Sequence, residues 1–391
     1  MDAMNKGPNA ALPAASPAKP KWHPQGCDKV ALILQGGGAL GAYQAGVYQA
    51  LHEAGLEPDW VAGVSIGAIN AALIAGNPPE LRLPRLREFW ETITARGGWM
   101  SAPEGDDPRK LFNAWSSFMT AMMGQPGFFT ANLPTPAMSL RGSRTATSYY
   151  DTAPLRETLL RLVDFKRLND GAIRFAAGAV NVMTGNFAYF DNAATTIAPE
   201  HIMASAALPP ALPMVRIGTD YFWDGGLVSN TPLQHLLDNA GSDDMLVFQI
   251  DLFSARGLIP RDMGDVLARQ KDIQYSSRTR IVGDLYARLH RDRLAMRSLL
   301  AKVPDDALSD DERARKAELA DMSRISVLQM IYQQAAYEGQ AKDYEFSASS
   351  MREHWDSGHR DTVRTLGNEA WLQIPSEDVG IVFRDIHRAD D

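Results

Sequence analysis

A serine flanked by glycines lies in the stretch from Val61 to Asn70, within Gly63-Val64-Ser65-Ile66-Gly67. An apolar extended run leads into this Gly-x-Ser-x-Gly motif and a helix-forming run follows it, which is the strand, turn and helix context of a nucleophile elbow. The free N–H groups at the start of that helix face any negative charge that develops at the serine. Ser65 is therefore a candidate nucleophile, the alternative being a serine that only caps a helix.

Donors for an oxyanion could come from Gly36-Gly37-Gly38-Ala39-Leu40-Gly41, which follows the apolar run Val30–Leu34. The N–H groups of successive glycines can converge on an anion just ahead of a helix N-terminus. Gly36, Gly37, Gly38 and Gly41 are therefore candidates for an oxyanion hole. The same spacing matches the dinucleotide-binding fingerprint, but that site needs an acidic residue at the end of the second strand. Asp59 opens that strand instead, which disfavours a dinucleotide site.

A general base is available in Asp224, which ends an aromatic run and precedes Gly225 and Gly226. These two glycines allow the backbone to approach closely. A carboxylate can accept the serine proton directly if desolvation raises its pKa towards the working pH. The alternative is a plain turn aspartate, since Asp-Gly is a common turn pair.

A conventional triad of Ser65, Asp224 and His235 is a second arrangement, because the three residues occur in the order that such hydrolases use. Two features disfavour it. Ser65 follows only the second strand of the chain, whereas the fold of that class builds several strands first. His235 also lies in an ordinary amphipathic helix pattern, Pro232–Leu237.

The apolar patterning predicts the elements that position these residues. Strand, helix, strand and helix follow one another over the first part of the chain, which predicts a parallel sheet with helices on its faces. Further along, we expect a hairpin of Ile173–Val182 with Phe187–Asp191, a second hairpin over Arg216–Trp223, strands at Met245–Ile250 and Ile325–Tyr332, and helices at Pro154–Val163 and Ser347–Leu366.

Residues 81–150 have a different pattern, in which Arg-rich and Pro-rich pieces alternate with apolar aromatic ones. Leu111, Trp115, Phe118 and Met122 lie at helical spacing on one face. One interpretation is a cap or lid whose apolar surface meets an acyl chain. The other is a stripe that packs on the core and never meets substrate.

A basic amphipathic helix is expected from Arg278 to Leu300. Such a helix can lie on an anionic membrane surface. The alternative is a helix that packs by its apolar side and leaves its arginines in water.

Composition bounds the class of protein and its compartment. The chain has 391 residues and a formal net charge of −8, which argues against a nucleic-acid partner. Cys27 is its one cysteine, so the chain has no intramolecular disulfide, in keeping with a reducing compartment.

Residues 1–28 are rich in Ala, Pro and Lys and read as a disordered leader, not a signal peptide. Trp60–Pro79 lacks charge but contains Gly and Asn, so we expect a buried strand and helix, not a membrane span. A cytoplasmic location is expected.

Together the three motifs resemble those of the patatin-like phospholipase family. The glycine segment, Gly63-Val64-Ser65-Ile66-Gly67 and Asp224-Gly225-Gly226 occur in that family's order and approximate spacing. Ser205-Ala206-Ala207-Leu208-Pro209 and Asn230-Thr231-Pro232 also look similar to family segments. Gly63, Gly67, Gly225 and Gly226 support the motifs.

The resemblance implies a three-layer α/β/α sandwich with a mainly parallel central sheet, over residues 29–253 with a cap-like insertion at about 81–150. Residues 254–391 are similar to a mainly helical extension of some bacterial members. It implies a Ser65–Asp224 dyad without histidine, and an oxyanion hole from the backbone around Gly37 and Gly38. The implied activity is that of a serine lipid acyl hydrolase that forms an acyl-enzyme, with no metal or other cofactor.

Two alternatives to hydrolysis stay open at this point. The same dyad could pass the acyl group to an acceptor other than water, or cleave thioesters. The chain could also be a lipid-binding regulatory module without turnover. A lipid or other acyl ester is the expected partner in each case, with peripheral membrane contact as a further option.

Two positions depart from the family pattern: Gln35, where an acidic residue often precedes the glycines, and Leu40, where Lys or Arg often precedes the last glycine. The oxyanion donors are backbone groups, so we expect catalysis to survive both changes. Leu40 weakens the case for recognition of an anionic head group.

Overall fold

The computed structural model describes residues 21–95, 102–276 and 279–385. Its strands follow the apolar runs of the sequence: β1 Lys29–Leu34, β2 Trp60–Val64, β3 Thr130–Ala131, β4 Tyr150–Asp151, β5 Arg174–Asn181, β6 Phe187–Asp191, β7 Val215–Ile217, β8 Asp220–Asp224, β9 Met245–Asp251, β10 Ile325–Ile331 and β11 Ile381–Asp385.

The α-helices alternate with these strands in the first part of the chain and predominate later: α1 Ala42–Ala54, α2 Ile66–Ala75, α3 Pro79–Ile93, α4 Asp106–Met123, α5 Ala153–Leu162, α6 Phe165–Asn169, α7 Pro199–Ser205, α8 Leu233–Asp238, α9 Met263–Tyr275, α10 Thr279–Leu300, α11 Asp310–Ala320 and α12 Ala348–Leu366. The expected helix from Arg278 therefore begins at Thr279, and Arg278 itself lies outside the described residues.

Across the described residues, nine strands form one mixed sheet in the order β11-β10-β9-β1-β2-β5-β8-β7, with β6 paired to β5. The strands from β11 to β5 are parallel to their neighbours, whereas β6, β7 and β8 pair antiparallel. Both hairpins expected from the sequence are confirmed. Because β1, β2 and β9 are parallel, the segments that follow them meet at one edge of the sheet.

Helices cover both faces of the sheet. Alternate residues of β1 enter different cores: Leu32 packs in the core that holds α1, α2 and α12, and Ile33 packs in a core beneath α8 and α10. This alternation is the period-two geometry of a strand buried on both faces. The expected three-layer α/β/α sandwich with a mainly parallel sheet is thereby confirmed.

The C-terminal region contributes to the sheet as well as to a helical layer. It adds the parallel strands β10 and β11 next to β9. Helix α12 packs closely on α1 because both helices have a glycine at the contact. A side chain at Gly358 or Gly46 would overlap the backbone of the facing helix. The region expected at 254–391 is thus mainly helical in this structure, and two of its strands extend the central sheet; residues 386–391 lie outside the described part.

The segment expected as a cap over 81–150 divides into two parts. Helix α3 is a core element, since Leu86, Phe89 and Trp90 are fully buried. From α4 onward the chain instead lines and surrounds the candidate site described below, and residues 96–101 lie outside the described part.

The leader expected over 1–28 falls mostly on residues 1–20, which lie outside the described part. Trp22, in the portion that is described, donates from its backbone N–H to the Gly55 carbonyl (3.1 Å) and from its ring N–H to the Ala54 carbonyl (2.7 Å). Cys27 is buried, and burial raises the pKa of its thiol to about 11.

The apolar stripe on α4 is exposed, so the interpretation that it packs on the core is wrong, whereas contact with an acyl chain stays a prediction. Trp115, Phe118 and Met122 are 52, 54 and 61% exposed, so the stripe does not pack on the core, and none of the three lines the cavity described below. Helix α10 packs only in part on the core, and membrane contact by this helix stays a prediction. Val282 and Ala287 pack on the second core, whereas Leu285 and Leu299 are exposed.

None of the helices in the described ranges has the length and apolar composition needed to cross a membrane. Within the same residues, no three His, Cys, Asp or Glu side chains come together as a group that could hold a metal ion.

Candidate active site

Ser65 occupies the turn between β2 and α2 in a strained backbone conformation. Its φ of 56° and ψ of −126° make it the one residue other than glycine with positive φ in the described part of the chain. Such strain is typical of a nucleophile elbow, where it directs the side chain away from the sheet. The Ser65 N–H donates to both the carbonyl and the hydroxyl oxygen of Ser205, each at 3.1 Å.

The two glycines of the motif are required by close packing. A Cβ at Gly67 would overlap the Leu34 carbonyl oxygen at the end of β1, and a Cβ at Gly63 would overlap the Gly67 backbone. The elbow therefore lies against the end of β1, which carries the glycine-rich loop. The motif thus sets the distance between Ser65 and that loop.

Strand β5 brings Ser65 and Asp224 together. On β5, Gly178 pairs with Val64 at the end of β2, and the next residue, Ala179, pairs with Asp224 at the end of β8. Both partners lie on the same edge of β5, because β6 occupies the opposite edge over these positions. The residues that end β2 and β8 consequently meet one position apart.

The Asp224 carboxylate lies under the serine and is 2% exposed. It accepts a hydrogen bond from the Gly226 N–H at 2.7 Å, and Asp224 and Ser65 line the same cavity. Burial raises the pKa of Asp224 from 3.8 to about 7, although the Ser65 hydroxyl and the Gly226 N–H, which both favour the charged form, oppose the shift. The carboxyl group is therefore a much stronger base than an exposed aspartate.

The glycine-rich loop lies beside this pair. Within the described residues, the N–H groups of Gly37 and Gly38 donate no hydrogen bond, and both residues line the same cavity as Ser65. The Gly36 N–H is already bonded to the Asn230 carbonyl (3.2 Å), and Gly41 packs against Ile66 and Trp90 away from the cavity. Of the four glycines expected as donors, two thus keep an N–H available.

Gln35 anchors the start of this loop and is completely buried. Its side-chain oxygen accepts from the N–H groups of Leu252 (2.5 Å) and Phe253 (2.9 Å), and its amide donates to the Thr231 hydroxyl (3.0 Å) and the Tyr275 carbonyl (3.2 Å). An acidic side chain here could accept the first pair but could not donate the second. The surroundings of Gln35 therefore suit an amide, which both accepts and donates, better than the acidic residue that the family often has at this position.

Asn230 holds the other side of the loop. Its side-chain amide donates to the carbonyl oxygens of Gly36 and Tyr275, both at 3.0 Å. The Tyr275 carbonyl at the end of α9 thus accepts from both Asn230 and Gln35. The C-terminal region is in this way bonded to the residues that flank the candidate oxyanion donors.

A cavity of about 390 Å³ opens above Ser65 and Asp224. Its lining is mostly apolar and comes from several separate parts of the chain. The glycine loop, the residues near the end of α4, and Gly226, Asn230 and Phe253 contribute to it. So do the aromatic and aliphatic groups Phe128, Phe129, Tyr149, Tyr150, Leu208, Pro210, Ala211 and Leu212, and the C-terminal residues Tyr275, Asp343, Tyr344 and Phe346.

The C-terminal lining residues were not expected from the sequence. They follow no catalytic motif, and they lie far along the chain from Ser65. The only signal was the aromatic character of Tyr344 and Phe346 in a mostly polar stretch. Gly38, with a φ of +53°, explains how they reach the site: a Cβ there would overlap the Asp343 carbonyl oxygen, so the loop and this segment are in direct contact.

The alternative assignments do not converge on the cavity. His235 stacks on Tyr189 with ring centroids 4.1 Å apart, and its Nε2 lies 2.8 Å from the Asp191 carboxylate. It packs near Trp60, which begins β2, whereas Ser65 follows the other end of that strand. The expected rival triad is therefore not assembled.

Asp59 is also at the wrong end of the sheet for a ribose ligand. Its carboxylate accepts from the Val30 N–H (2.9 Å) and from Lys21 (2.7 Å), beside the beginnings of β1 and β2. The glycine loop follows the opposite end of β1.

Two family models match the chain. The model described as patatin-like phospholipase covers residues 32–237, more than half of the chain, and one described as patatin phospholipase covers residues 273–378.

Relatives with assigned names are distant and much longer. A lysophospholipase nte1 of Aspergillus terreus is 24% identical over 61% of this chain and 13% of its own length. A lysophospholipase NTE1 of Cryptococcus neoformans var. neoformans serotype D is 27% identical over 61% of this chain and 12% of its own length. The chain thus spans only about an eighth of these relatives.

Among solved structures, VipD from Legionella pneumophila aligns with 86% of this chain and 66% of its own, at 14% identity and a TM-score of 0.37. The first family model includes the glycine loop, the serine elbow and Asp224 in one continuous match. The chain belongs to the patatin-like phospholipase family.

Proposed function

We propose that this protein is a serine hydrolase of lipid acyl esters, with Ser65 as nucleophile and Asp224 as general base. The observation that carries the proposal is that β5 brings Ser65 next to a buried carboxylate in one cavity, and burial raises the pKa of that carboxylate to about 7. A base with a pKa near the working pH is the most effective acceptor of a proton in the transition state.

In the proposed first step, the Ser65 oxygen bonds to the ester carbonyl carbon while its proton passes to Asp224. The negative charge that develops on the carbonyl oxygen is met by the N–H groups of Gly37 and Gly38 and by the N-terminus of α2. The ester C–O bond then breaks, and the departing alcohol takes the proton from Asp224. An acyl group remains on Ser65.

The second step repeats this chemistry with water. Asp224 accepts a proton from the water as its oxygen bonds to the acyl carbon, and the proton then returns to the Ser65 oxygen as the acyl bond breaks. The products are a fatty acid and free enzyme. Neither step uses a histidine, a metal or another cofactor.

The mostly apolar cavity supports a lipid as the source of the acyl group. Phe128, Leu208, Leu212 and Phe346 contribute hydrocarbon surface near Ser65. Burial of a chain against such surface is favourable by about 0.8 kcal/mol for each CH₂ group. The phospholipase descriptions of the two family models also agree with this substrate class.

A cytoplasmic location is part of the proposal. It rests on the single cysteine of the chain, which fits a reducing compartment.

Labelling with a fluorophosphonate probe, followed by intact-mass measurement, tests the nucleophile. We expect one adduct on the wild-type chain and none on Ser65→Ala. Hydrolysis of a chromogenic medium-chain ester should fall by at least about a thousandfold in Ser65→Ala and in Asp224→Asn. Substantial turnover by either purified, folded variant would reject the dyad.

A further inference from the structure

Helix α4 has its polar side turned towards the protein and its apolar side towards solvent. Arg109, Asn113, Ser117 and Thr120 are buried. Arg109 donates to the Ser350 hydroxyl (3.0 Å) and to the Glu353 carboxylate (2.8 Å), which fixes this side of α4 to α12. A helix on the surface of a soluble domain normally has the opposite arrangement. The exposed apolar side of α4 therefore calls for a partner that is not water.

The apolar surface continues beyond α4. Residues 111–140 contain no Asp, Glu, Lys, Arg or His, whereas 22% of the whole chain is Asp, Glu, Lys or Arg. Within this run Leu133, Met138 and Leu140 are about four-fifths exposed. We use the name apolar rim for the exposed side chains of both parts, which are Trp115, Phe118, Met122, Leu133, Met138 and Leu140.

The apolar rim adjoins the mouth of the cavity. Ala121 of α4 lines the cavity between the exposed Phe118 and Met122, and the Tyr150 hydroxyl donates to the Ala121 carbonyl (2.6 Å). Loop 132–149 is closed at its base by a hydrogen bond from the Asn132 N–H to the Tyr149 carbonyl (2.8 Å). Tyr149 lines the cavity and is itself exposed. Both parts of the rim are thus attached to one wall of the cavity.

We propose that the apolar rim is a docking surface for a phospholipid membrane, onto which it holds the mouth of the cavity. The inference rests on the proposed function, because it makes the membrane the source of the acyl ester. An acyl chain that moves directly from the bilayer into the cavity avoids contact with water on the way.

The chemistry of the rim favours a lipid surface over a protein. Trp and Phe at the edge of a charge-free surface are typical of segments that insert at a membrane interface. The charge-free run ends at Arg141, which with Arg144 is exposed and has no acidic neighbour between residues 112 and 150. Two arginines beside inserted apolar groups are placed to meet lipid phosphates.

Flotation of the full chain with vesicles tests the proposal, and Ser65→Ala is the parent so that no lipid is consumed. Vesicles are made of phosphatidylcholine alone or of phosphatidylcholine mixed with phosphatidylglycerol. We expect the parent to float with both, and the partition coefficient to fall at least about tenfold in the parent that also carries Trp115→Ser and Phe118→Ser. Arg141→Gln with Arg144→Gln should weaken binding severalfold to the mixed vesicles only.

The matched control is Leu160→Ser with Val363→Ser, two exposed apolar residues on α5 and α12 that do not line the cavity. This control should float like the parent, and thermal melting should show each variant folded. A second measurement uses vesicles with brominated acyl chains. They should quench the fluorescence of the parent more than that of its Trp115→Phe variant, which keeps an apolar side chain at the site.

Three results would overturn the proposal. One is a parent that floats with neither vesicle composition. Another is a folded Trp115→Ser, Phe118→Ser variant that floats as well as the parent, with no difference in quenching between the parent and Trp115→Phe. The third is a dimer in sedimentation equilibrium that this double variant converts to monomer, since the occupant of the rim would then be a second copy. Failure of probe labelling would reject the proposed hydrolase and leave the flotation result intact.

Discussion

The side-chain amide of Asn230 donates to the Tyr275 carbonyl oxygen at 3.0 Å. The same amide nitrogen donates to the Gly36 carbonyl oxygen, also at 3.0 Å. Asn230 therefore connects the loop of proposed oxyanion donors with the end of α9, although no part of it touches Ser65 in these contacts.

Replacement of Asn230 by alanine should lower kcat more than it changes KM. The Gly36 carbonyl would lose the Asn230 donor and the Tyr275 carbonyl would keep only Gln35, so the glycine loop would be less firmly held and the N–H groups of Gly37 and Gly38 less well aimed. We expect kcat for a chromogenic ester to fall about ten- to a hundredfold. Asn239→Ala, an exposed asparagine at the end of α8, is the control. Equal kinetics in both variants would contradict the positioning role.

The pH dependence of the reaction should follow the ionisation of Asp224. The carboxyl group must be deprotonated to accept the serine proton, and its pKa is raised to about 7 by burial. We therefore expect kcat/KM for a neutral ester to rise through pH 7 to a plateau, and to be about a tenth of the plateau at pH 6. A profile that is already flat at pH 5 would contradict this assignment.

Ionisation of Asp224 should lower the stability of the folded protein, although it raises activity. The folded state holds the Asp224 proton more tightly than the unfolded state, whose pKa is near 3.8. The resulting stability is fully present below pH 3.8 and is lost as pH rises to about 7. Asp224→Asn lacks this loss, so the Tm of the variant minus that of the wild type should increase between pH 5 and pH 8. A constant difference, measured by calorimetry, would count against the raised pKa.

Gly67→Ala should destabilise the elbow because its Cβ would overlap the Leu34 carbonyl oxygen at the end of β1. Either α2 or the end of β1 must move to make room, which typically costs about 1–3 kcal/mol in the free energy of unfolding. Gly339→Ala is the control, since nothing lies within 4 Å of the added atom there. Urea unfolding of the two variants measures the difference. Equal stability would show that the elbow and β1 are not in tight contact.

Tyr344→Ala should change the preference for acyl chain length. The Tyr344 ring lines the cavity and also lies over the Lys271 ammonium group, 4.8 Å from the ring centroid. Its removal enlarges one wall of the cavity, so the ratio of kcat/KM for long- over short-chain esters should shift by at least about tenfold. Tyr221→Ala, on the edge hairpin of β7 and β8, should leave the ratio unchanged.

The elements that hold the active pair could be predicted from the sequence, because their signals are local. Short apolar runs gave β1, β2 and β9 within one or two residues, and turn residues gave both hairpins. Ser65 and Asp224 were identifiable as candidates because glycines flank Ser65 and follow Asp224, and these glycines have a steric reason to be there. The role of Gln35 in holding the glycine loop could not be predicted in this way, because its four hydrogen-bond partners come from three separate segments of the chain.

Two features depend on tertiary contacts that no local pattern reports. The spacing of Trp115, Phe118 and Met122 predicted one apolar face of a helix, but it could not show that Arg109 would bind α12 and turn that face outward. Likewise, Tyr275 and Asp343 reach the site through packing of the C-terminal region on the glycine loop. Their positions follow from the whole fold.

The shared edge of β5 has a consequence for how this chain can vary. Since Val64 and Asp224 pair with consecutive residues of one strand, this pairing sets the separation of the proposed base Asp224 from the proposed nucleophile Ser65, which follows Val64. The long excursion between Ser65 and β5, which includes α4 and the loop after it, can be lengthened, shortened or exchanged without altering that separation. Substrate access and reactivity are therefore free to evolve independently.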